Sequence, residues 1–181
     1  MNKPIEINFD TETSTFILNV DKNAVDLESK KNYATIYGLS RKNKFHLTII
    51  GEDTSKKILK LLESFGEDDK IRTLNQIQKI CELFEWKFTI KQEFYYLEKI
   101  YNDTNDLETI KPEKRKSIIQ VAEIDDISQF YKKLNLLLDT KFIIPFSHVT
   151  LYTTSTLEEK KLRGIGIYSK SQFEELNPEK I

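Results

Sequence analysis

The stretch FHLTII, residues 45–50, alternates apolar and polar side chains in the way that a half-buried β-strand does. Its phenylalanine, leucine and first isoleucine would share the buried face. His46 and Thr48 would then project together from the opposite face. The stretch therefore predicts a strand that presents an imidazole beside a hydroxyl.

A second stretch, FSHVTLYT at residues 146–153, has the same pattern about a hundred residues later. Here His148 and Thr150 share a face, about 6.5–7 Å apart along the strand. The chain contains two histidines, and both occur in this His-x-Thr pattern. Serine and threonine make up roughly a seventh of the chain, so a chance match at both histidines has a probability of about 2%. The pattern indicates function.

Amphipathic helices are predicted next to each motif in the chain, after the first motif and before the second. After Gly51 the apolar spacing changes to i, i+3, i+4 and i+7, with Thr54 or Ser55 as the cap and Gly66 as the stop. Two later stretches repeat this spacing, and the single cysteine, Cys81, falls on the buried stripe of one of them. The predicted helices cover residues 54–65, 71–84 and 127–138.

The remaining apolar stretches alternate and predict strands, while residues 102–116 are polar, contain Pro112 and predict a loop. Residues 164–176 predict a turn followed by a short terminal helix. The predicted strands cover residues 16–20, 34–39, 44–51, 86–101 (one strand or a pair), 116–124 and 142–153.

These elements predict one α+β domain over residues 1–181. Each half offers a strand bearing His-x-Thr and an amphipathic helix. We therefore expect two pseudo-symmetric lobes, with two antiparallel sheets that face a central cleft and helices packed outside.

The composition excludes several classes of protein. An apolar share of 39% and a charged share of 31% are ordinary for a soluble globular domain. The net charge of −1 argues against duplex DNA as a partner, although a local pocket could still bind a small anion. One cysteine and two distant histidines make a zinc site unexpected, and we expect no metal and no cofactor. Without a signal peptide or an apolar membrane span, the sequence predicts a cytoplasmic protein with no membrane partner. We expect a monomer.

Two facing His-x-Thr pairs suit phosphoester cleavage. One neutral histidine can take a proton from the attacking water, while the other, protonated, gives a proton to the leaving oxygen. The two threonine hydroxyls can hold the nonbridging phosphate oxygens where negative charge develops. The predicted catalytic residues are His46, Thr48, His148 and Thr150.

The sequences HLT at His46 and HVT at His148 resemble the paired signatures of the 2H phosphoesterase superfamily. Its members include RNA 2′,3′-cyclic phosphodiesterases, 2′-5′ RNA ligase-like proteins and phage enzymes that degrade cyclic oligonucleotide signals. The resemblance implies a bilobal α+β fold with both motifs lining one cleft. It also implies that the histidines are the acid–base pair and that Thr48 and Thr150 hold the phosphate. Residues 164–176 are similar to the tail of some bacterial members.

The leading expectation is a metal-independent phosphodiesterase acting on a 2′,3′-cyclic nucleotide or an RNA end. Cyclic oligonucleotide signals and 2′-5′ oligoadenylate are alternative substrates. A nucleotide- or RNA-binding module without turnover is an alternative from another class, and a structural or interaction protein with incidental histidines is a third.

Two tyrosines are candidate substrate-binding residues. Tyr152 lies at i+4 from His148, and strand parity places it on the same face, where it could stack on a base or bond the phosphate. Tyr37, on the predicted strand before His46, is a second candidate. Each tyrosine could instead be a packing aromatic.

Basic side chains near the motifs have two interpretations. Lys44 shares parity with His46, and Arg163 follows the second motif, so either could steer an anion or be a solvated surface charge. The basic run KPEKRK, residues 111–116, could be a flap over an anionic substrate or a solvated loop.

Overall fold

The computed structural model describes residues 8–12, 14–102 and 112–181, which form two antiparallel sheets and five α-helices. The first sheet has the strand order β1-β2-β4 and the second has the order β3-β7-β6-β5-β8. The strands are β1 (Asn8–Asp10), β2 (Thr15–Val20), β3 (Ser40–Arg41), β4 (Phe45–Ile50), β5 (Phe88–Tyr101), β6 (Glu113–Ile124), β7 (His148–Ser155) and β8 (Glu179–Lys180). The helices are α1 (Lys31–Ile36), α2 (Glu52–Leu62), α3 (Glu67–Glu82), α4 (Ile127–Leu138) and α5 (Lys170–Glu175).

The predicted α+β class with two antiparallel sheets is confirmed. The two sheets meet where β4 approaches β7, so the strands that contain the two motifs are neighbours without sharing a hydrogen-bonded ladder. The pseudo-symmetry of the two lobes stays a prediction.

The main core is formed by the first sheet, one face of the second sheet and the helices α1–α4. Trp86 is fully buried there, with its ring 5.0 Å from Phe16 and 5.2 Å from Phe130. Its indole N–H donates a hydrogen bond to the carbonyl of Cys81, which is buried as predicted. Such packing of large aromatic side chains fixes α3 and α4 against β2.

A smaller core covers the opposite face of the second sheet. Its buried members come from β5, β6, the segment after β7 and α5, and they are Leu97, Ile119, Ile165, Ile167 and Phe173. This cluster holds the segment that follows β7 close to the sheet. That segment forms one wall of the cavity described below.

Three predicted elements were wrong. Residues 34–39 form no strand, because Tyr33 and Tyr37 stack at helical spacing with ring centroids 4.8 Å apart at the end of α1. Residues 113–116 belong to β6 rather than to a polar loop, because they pair with the end of β5. Residues 142–147 precede β7 instead of forming part of it.

The ends of the helices also differ from the sequence-based boundaries. Helix α2 begins at Glu52 with Gly51 as its N-cap, whereas Thr54 or Ser55 was the predicted cap. Gly66 is the N-cap of α3 rather than the stop of α2. In the part of the chain that the structure describes, no helix combines the length and hydropathy needed to span a bilayer.

Candidate active site

The two His-x-Thr motifs line one cavity. His46 and Thr48 extend from β4, and His148 and Thr150 extend from β7, into the same space of about 440 Å³. Each strand buries its apolar residues in the core, so the alternate polar residues turn to the cavity. The structure thus brings together the four residues that the sequence singled out.

A glycine lies against each threonine of the pair. A Cβ atom added to Gly51 would come within 3.1 Å of the Thr48 methyl group, and one added to Gly164 would lie 3.1 Å from the Thr150 hydroxyl oxygen. The backbone therefore approaches both threonines more closely than other residue types would allow without displacement. This close approach restricts the space in which the two threonine side chains can turn.

The ring of His148 is oriented by a backbone carbonyl. Its Nδ1–H donates a hydrogen bond to the carbonyl oxygen of Phe146, with 2.7 Å between the two heavy atoms. The Phe146 ring also stacks on the imidazole, with centroids 6.0 Å apart and planes inclined by 24°. A carbonyl oxygen can only accept a hydrogen bond, so Nδ1 must carry a proton. Nε2 is therefore the nitrogen that can exchange a proton with a ligand.

Both histidines have lowered pKa values. Burial lowers the pKa of the His148 imidazole to about 4, opposed in part by the Phe146 hydrogen bond, and nearby His46 lowers it further. Burial also lowers the pKa of His46, and the ammonium of Lys42 adds to that effect. Both rings are consequently neutral at pH 7 in the unliganded protein, and each can accept a proton.

The cavity wall is strongly cationic. Among the described residues it carries six basic side chains and two carboxylates, whereas the whole chain has a net charge of −1. Field lines concentrate in such a cleft and attract anions. The charged residues are Lys42, Lys44, Lys56, Arg115, Lys160, Arg163, Glu52 and Glu113.

Arg115 and Glu113 form a buried ion pair at the cavity. The guanidinium donates two hydrogen bonds to the carboxylate, of 2.5 and 2.7 Å, and lies 4.2 Å from the centroid of the Tyr101 ring. The carboxylate also accepts a hydrogen bond from Ser155, and Arg115 above all lowers the pKa of Glu113 to about 2. This pair was not predicted from the sequence, because both residues fell in the predicted loop.

The segment 162–166 forms the wall of the cavity beside Thr150, and side chains from several strands hold its backbone. Because three of these bonds come from β5, β6 and β7, the wall is fixed relative to the second sheet. The hydrogen bonds run from Lys42 Nζ to the Leu162 carbonyl (2.6 Å), from Thr153 Oγ1 to the Arg163 carbonyl (3.1 Å), from Arg115 Nη1 to the Gly164 carbonyl (3.2 Å) and from the Gly166 N–H to the Tyr101 hydroxyl (3.3 Å).

The predicted face of Tyr152 was wrong. Ile119 pairs with Thr150 while Ile118 pairs with Tyr152, so Leu151 is an extra residue that forms a β-bulge in β7. The bulge reverses the alternation, and Tyr152 turns away from the cavity. Its side chain is buried, and its hydroxyl donates a hydrogen bond to the carbonyl of Leu27.

Tyr37 also lies outside the set of residues that line the cavity. Its ring packs on Tyr33 and Tyr96, with centroid distances of 4.8 and 4.5 Å. The structure therefore assigns both predicted substrate-binding tyrosines to packing. The tyrosines that do line the cavity are Tyr101 and Tyr168.

The two single cations considered in the sequence analysis both line the cavity. Lys44 precedes β4, and Arg163 belongs to the segment after β7. Arg163 forms an exposed ion pair of 2.9 Å with Glu52 at the start of α2, which joins the two sides of the cleft. Of the basic run, Lys111 lies outside the described residues, and residues 113–116 form part of β6 rather than a flap or a solvated loop.

Comparisons with protein-family models, with curated proteins and with solved structures find no match to this chain. Within residues 8–12, 14–102 and 112–181, no group of three or more histidine, cysteine or acidic side chains is arranged to hold a metal ion.

Proposed function

We propose that this chain is a metal-independent phosphodiesterase of the two-histidine type, similar to the 2H phosphoesterases. Its substrate would be a cyclic or 2′-linked nucleotide phosphodiester, with a 2′,3′-cyclic nucleotide or an RNA end as the first choice. The observation that carries the proposal is that both His-x-Thr pairs line one cationic cavity. We expect it to act as a cytoplasmic monomer.

The chemistry follows from the groups in the cavity. A neutral imidazole removes a proton from the water that attacks phosphorus, and the protonated partner donates a proton to the oxygen that leaves. Hydroxyl groups of Thr48 and Thr150 donate hydrogen bonds to the nonbridging oxygens as their charge increases. The surrounding cations offset the negative charge of the phosphate, as Lys42 and Lys44 would do beside His46.

Turnover of cyclic substrates is the direct test. Purified protein should be incubated with 2′,3′-cyclic mononucleotides, 2′-5′ oligoadenylate and cyclic di- and trinucleotides, and the products separated by chromatography. Hydrolysis of at least one class is expected. Binding without hydrolysis of any of them would contradict the proposal.

A non-catalytic nucleotide-binding module is the second candidate. The lowered pKa values of His46 and His148 favour it, because neither ring is protonated at pH 7 in the unliganded protein. A bound phosphate opposes that effect, since an anion next to an imidazole stabilises its protonated form. A phosphodiesterase would therefore gain its general acid when the substrate binds, whereas a module would show no turnover at any pH.

The pH profile of kcat/KM should be bell-shaped, with its maximum on the acid side of pH 6.5. This parameter reports the free enzyme, in which one histidine must be protonated and the other neutral. That state is most populated between the two apparent pKa values, and both are lowered. The neutral maximum expected from unperturbed histidines accordingly moves to lower pH. Initial rates at subsaturating substrate between about pH 4 and 9 measure it, and a flat profile would contradict the two-histidine mechanism.

Activity should survive removal of metal ions. The four proposed catalytic groups supply proton transfer and hydrogen bonds without a Lewis acid. Rates measured after dialysis against EDTA should therefore equal those of the untreated protein. A loss that a divalent ion restores would show that the chemistry requires a metal.

A further inference from the structure

A second cavity adjoins the one between the histidines. Its volume is about 460 Å³, and it shares Thr54 and Tyr168 with the first cavity. It lies between the start of α2, the segment after α4, and α5.

The charges of the two cavities differ. In the second cavity, Lys57 forms an ion pair of 2.7 Å with Asp53, and the remaining cation, Lys141, is matched in number by Glu175. This balance contrasts with the excess of cations beside the histidines. A phosphate would therefore favour the first cavity, and an uncharged group with polar edges would suit the second.

The second cavity also offers apolar and aromatic surface. Ile143 is 67% exposed, and Phe142 lies next to it in the chain. The Tyr168 ring belongs to both cavities. The Tyr168 hydroxyl lies against Gly166 of the first cavity, because a Cβ atom added to Gly166 would be 2.7 Å from the hydroxyl oxygen. The backbone N–H of Tyr168 donates a hydrogen bond of 2.7 Å to the side-chain oxygen of Gln172. An aromatic ring on the border between two cavities is a surface on which a base can stack.

We propose that the second cavity binds the nucleoside next to the one that carries the scissile phosphate, so that the substrate spans at least two nucleotides. The inference rests on the proposed function, because the phosphate between the histidines sets the position of the nucleoside. It extends that function by naming the substrate class: an oligonucleotide is preferred to a mononucleotide. The Tyr168 ring and the exposed Ile143 are the surfaces that the base contacts.

Equilibrium binding to a variant without turnover tests this inference. In the His46→Ala protein, calorimetric titration should compare adenosine 2′,3′-cyclic phosphate with an adenylyl-adenosine dinucleotide that ends in a 2′,3′-cyclic phosphate. One stacked base contributes about 1–3 kcal/mol, so the dinucleotide should bind roughly 5- to 150-fold more tightly. Equal affinities would overturn the inference.

A matched pair of variants locates the effect. Ile143→Asp adds a charge in the second cavity, and Leu136→Asp adds the same charge on α4 at a side chain that is 84% exposed. Both substitutions remove an exposed aliphatic side chain, so neither should unfold the protein. Ile143→Asp should reduce the preference for the dinucleotide to near one, while Leu136→Asp should retain it. Equal effects of the two substitutions would overturn the inference.

The outcomes separate the subsite from the catalytic proposal. Wild-type protein that hydrolyses the cyclic mononucleotide but shows no dinucleotide preference would retain the proposed function and overturn the subsite. A dinucleotide preference that depends on Ile143, in a protein that hydrolyses no substrate, would retain the subsite and overturn the proposed function.

Discussion

Replacing either histidine with alanine should lower kcat/KM by about 10²–10⁴-fold. In the proposed mechanism, His46→Ala removes one of the two proton carriers and His148→Ala removes the other, while the threonines and cations proposed to hold the phosphate remain. Steady-state rates at the pH optimum measure the effect. The two losses should not multiply, because proton removal and proton donation serve the same reaction. The kcat/KM of the double variant should therefore be close to that of the less active single variant.

His148→Asn is the matched control for this prediction. Its side-chain N–H can replace the Nδ1–H that bonds the Phe146 carbonyl, but the amide does not titrate near neutral pH. It should therefore keep the wild-type unfolding midpoint and lose activity as His148→Ala does. An asparagine variant with near-wild-type turnover would show that the ring orients the site and transfers no proton.

Strand parity predicted the centre of the site. The alternation in residues 45–50 placed His46 and Thr48 on the face away from the core, and the structure has them there. This inference succeeds because a strand with one buried face cannot shift by a single residue without exposing its apolar side chains. Local sequence is enough for such a pattern.

Strand parity predicted the wrong face four residues beyond His148. Leu151 bulges, and Tyr152 therefore faces Leu27 instead of the cavity between the two motifs. A bulge depends on how β7 pairs with β6, and no local residue such as glycine marks it in the sequence. Parity is consequently reliable only up to the first irregularity in the ladder.

Arg115 and Glu113 show a second limit. In the sequence they belong to a polar run, and polar runs usually form solvated loops. In the fold they pair across the sheet with the end of β5 and lie under the segment 162–166, where their charges neutralise each other in a buried position. Burial of a charged pair depends on a partner far away in the chain, so periodicity could not predict it.

Helix α1 is a segment in which intrinsic propensity predicts the wrong element. The run around Ile36 has β-branched and aromatic residues, which favour a strand. The stacking of Tyr33 on Tyr37 and the left-handed Gly38 at φ 66° instead support one short helix that ends there. Tertiary contacts thus outweighed the intrinsic preference.

Replacing Thr150 with valine should lower kcat by about 10²–10³-fold, and Thr48→Val should have a similar effect. Valine keeps the branched shape and the strand preference of threonine but removes the hydroxyl that would donate to a nonbridging oxygen. That hydrogen bond strengthens as charge develops, so kcat should fall more than KM rises. Steady-state kinetics over a range of substrate concentrations separate the two parameters.

Thr154→Val is the control on the same strand. Thr154 is half-buried on β7 and is not among the residues that line the cavity, so its substitution should leave kcat within about twofold of wild type. Equal losses at Thr150 and Thr154 would show that a change in the strand, rather than loss of the hydroxyl, lowers kcat.

The effect of the Thr150 hydroxyl should also depend on Gly164, because the backbone there approaches Thr150 within contact distance. Gly164→Ala should displace that side chain and lower kcat while Thr150 is intact, and it should add little to the Thr150→Val variant, because residues in contact do not act independently.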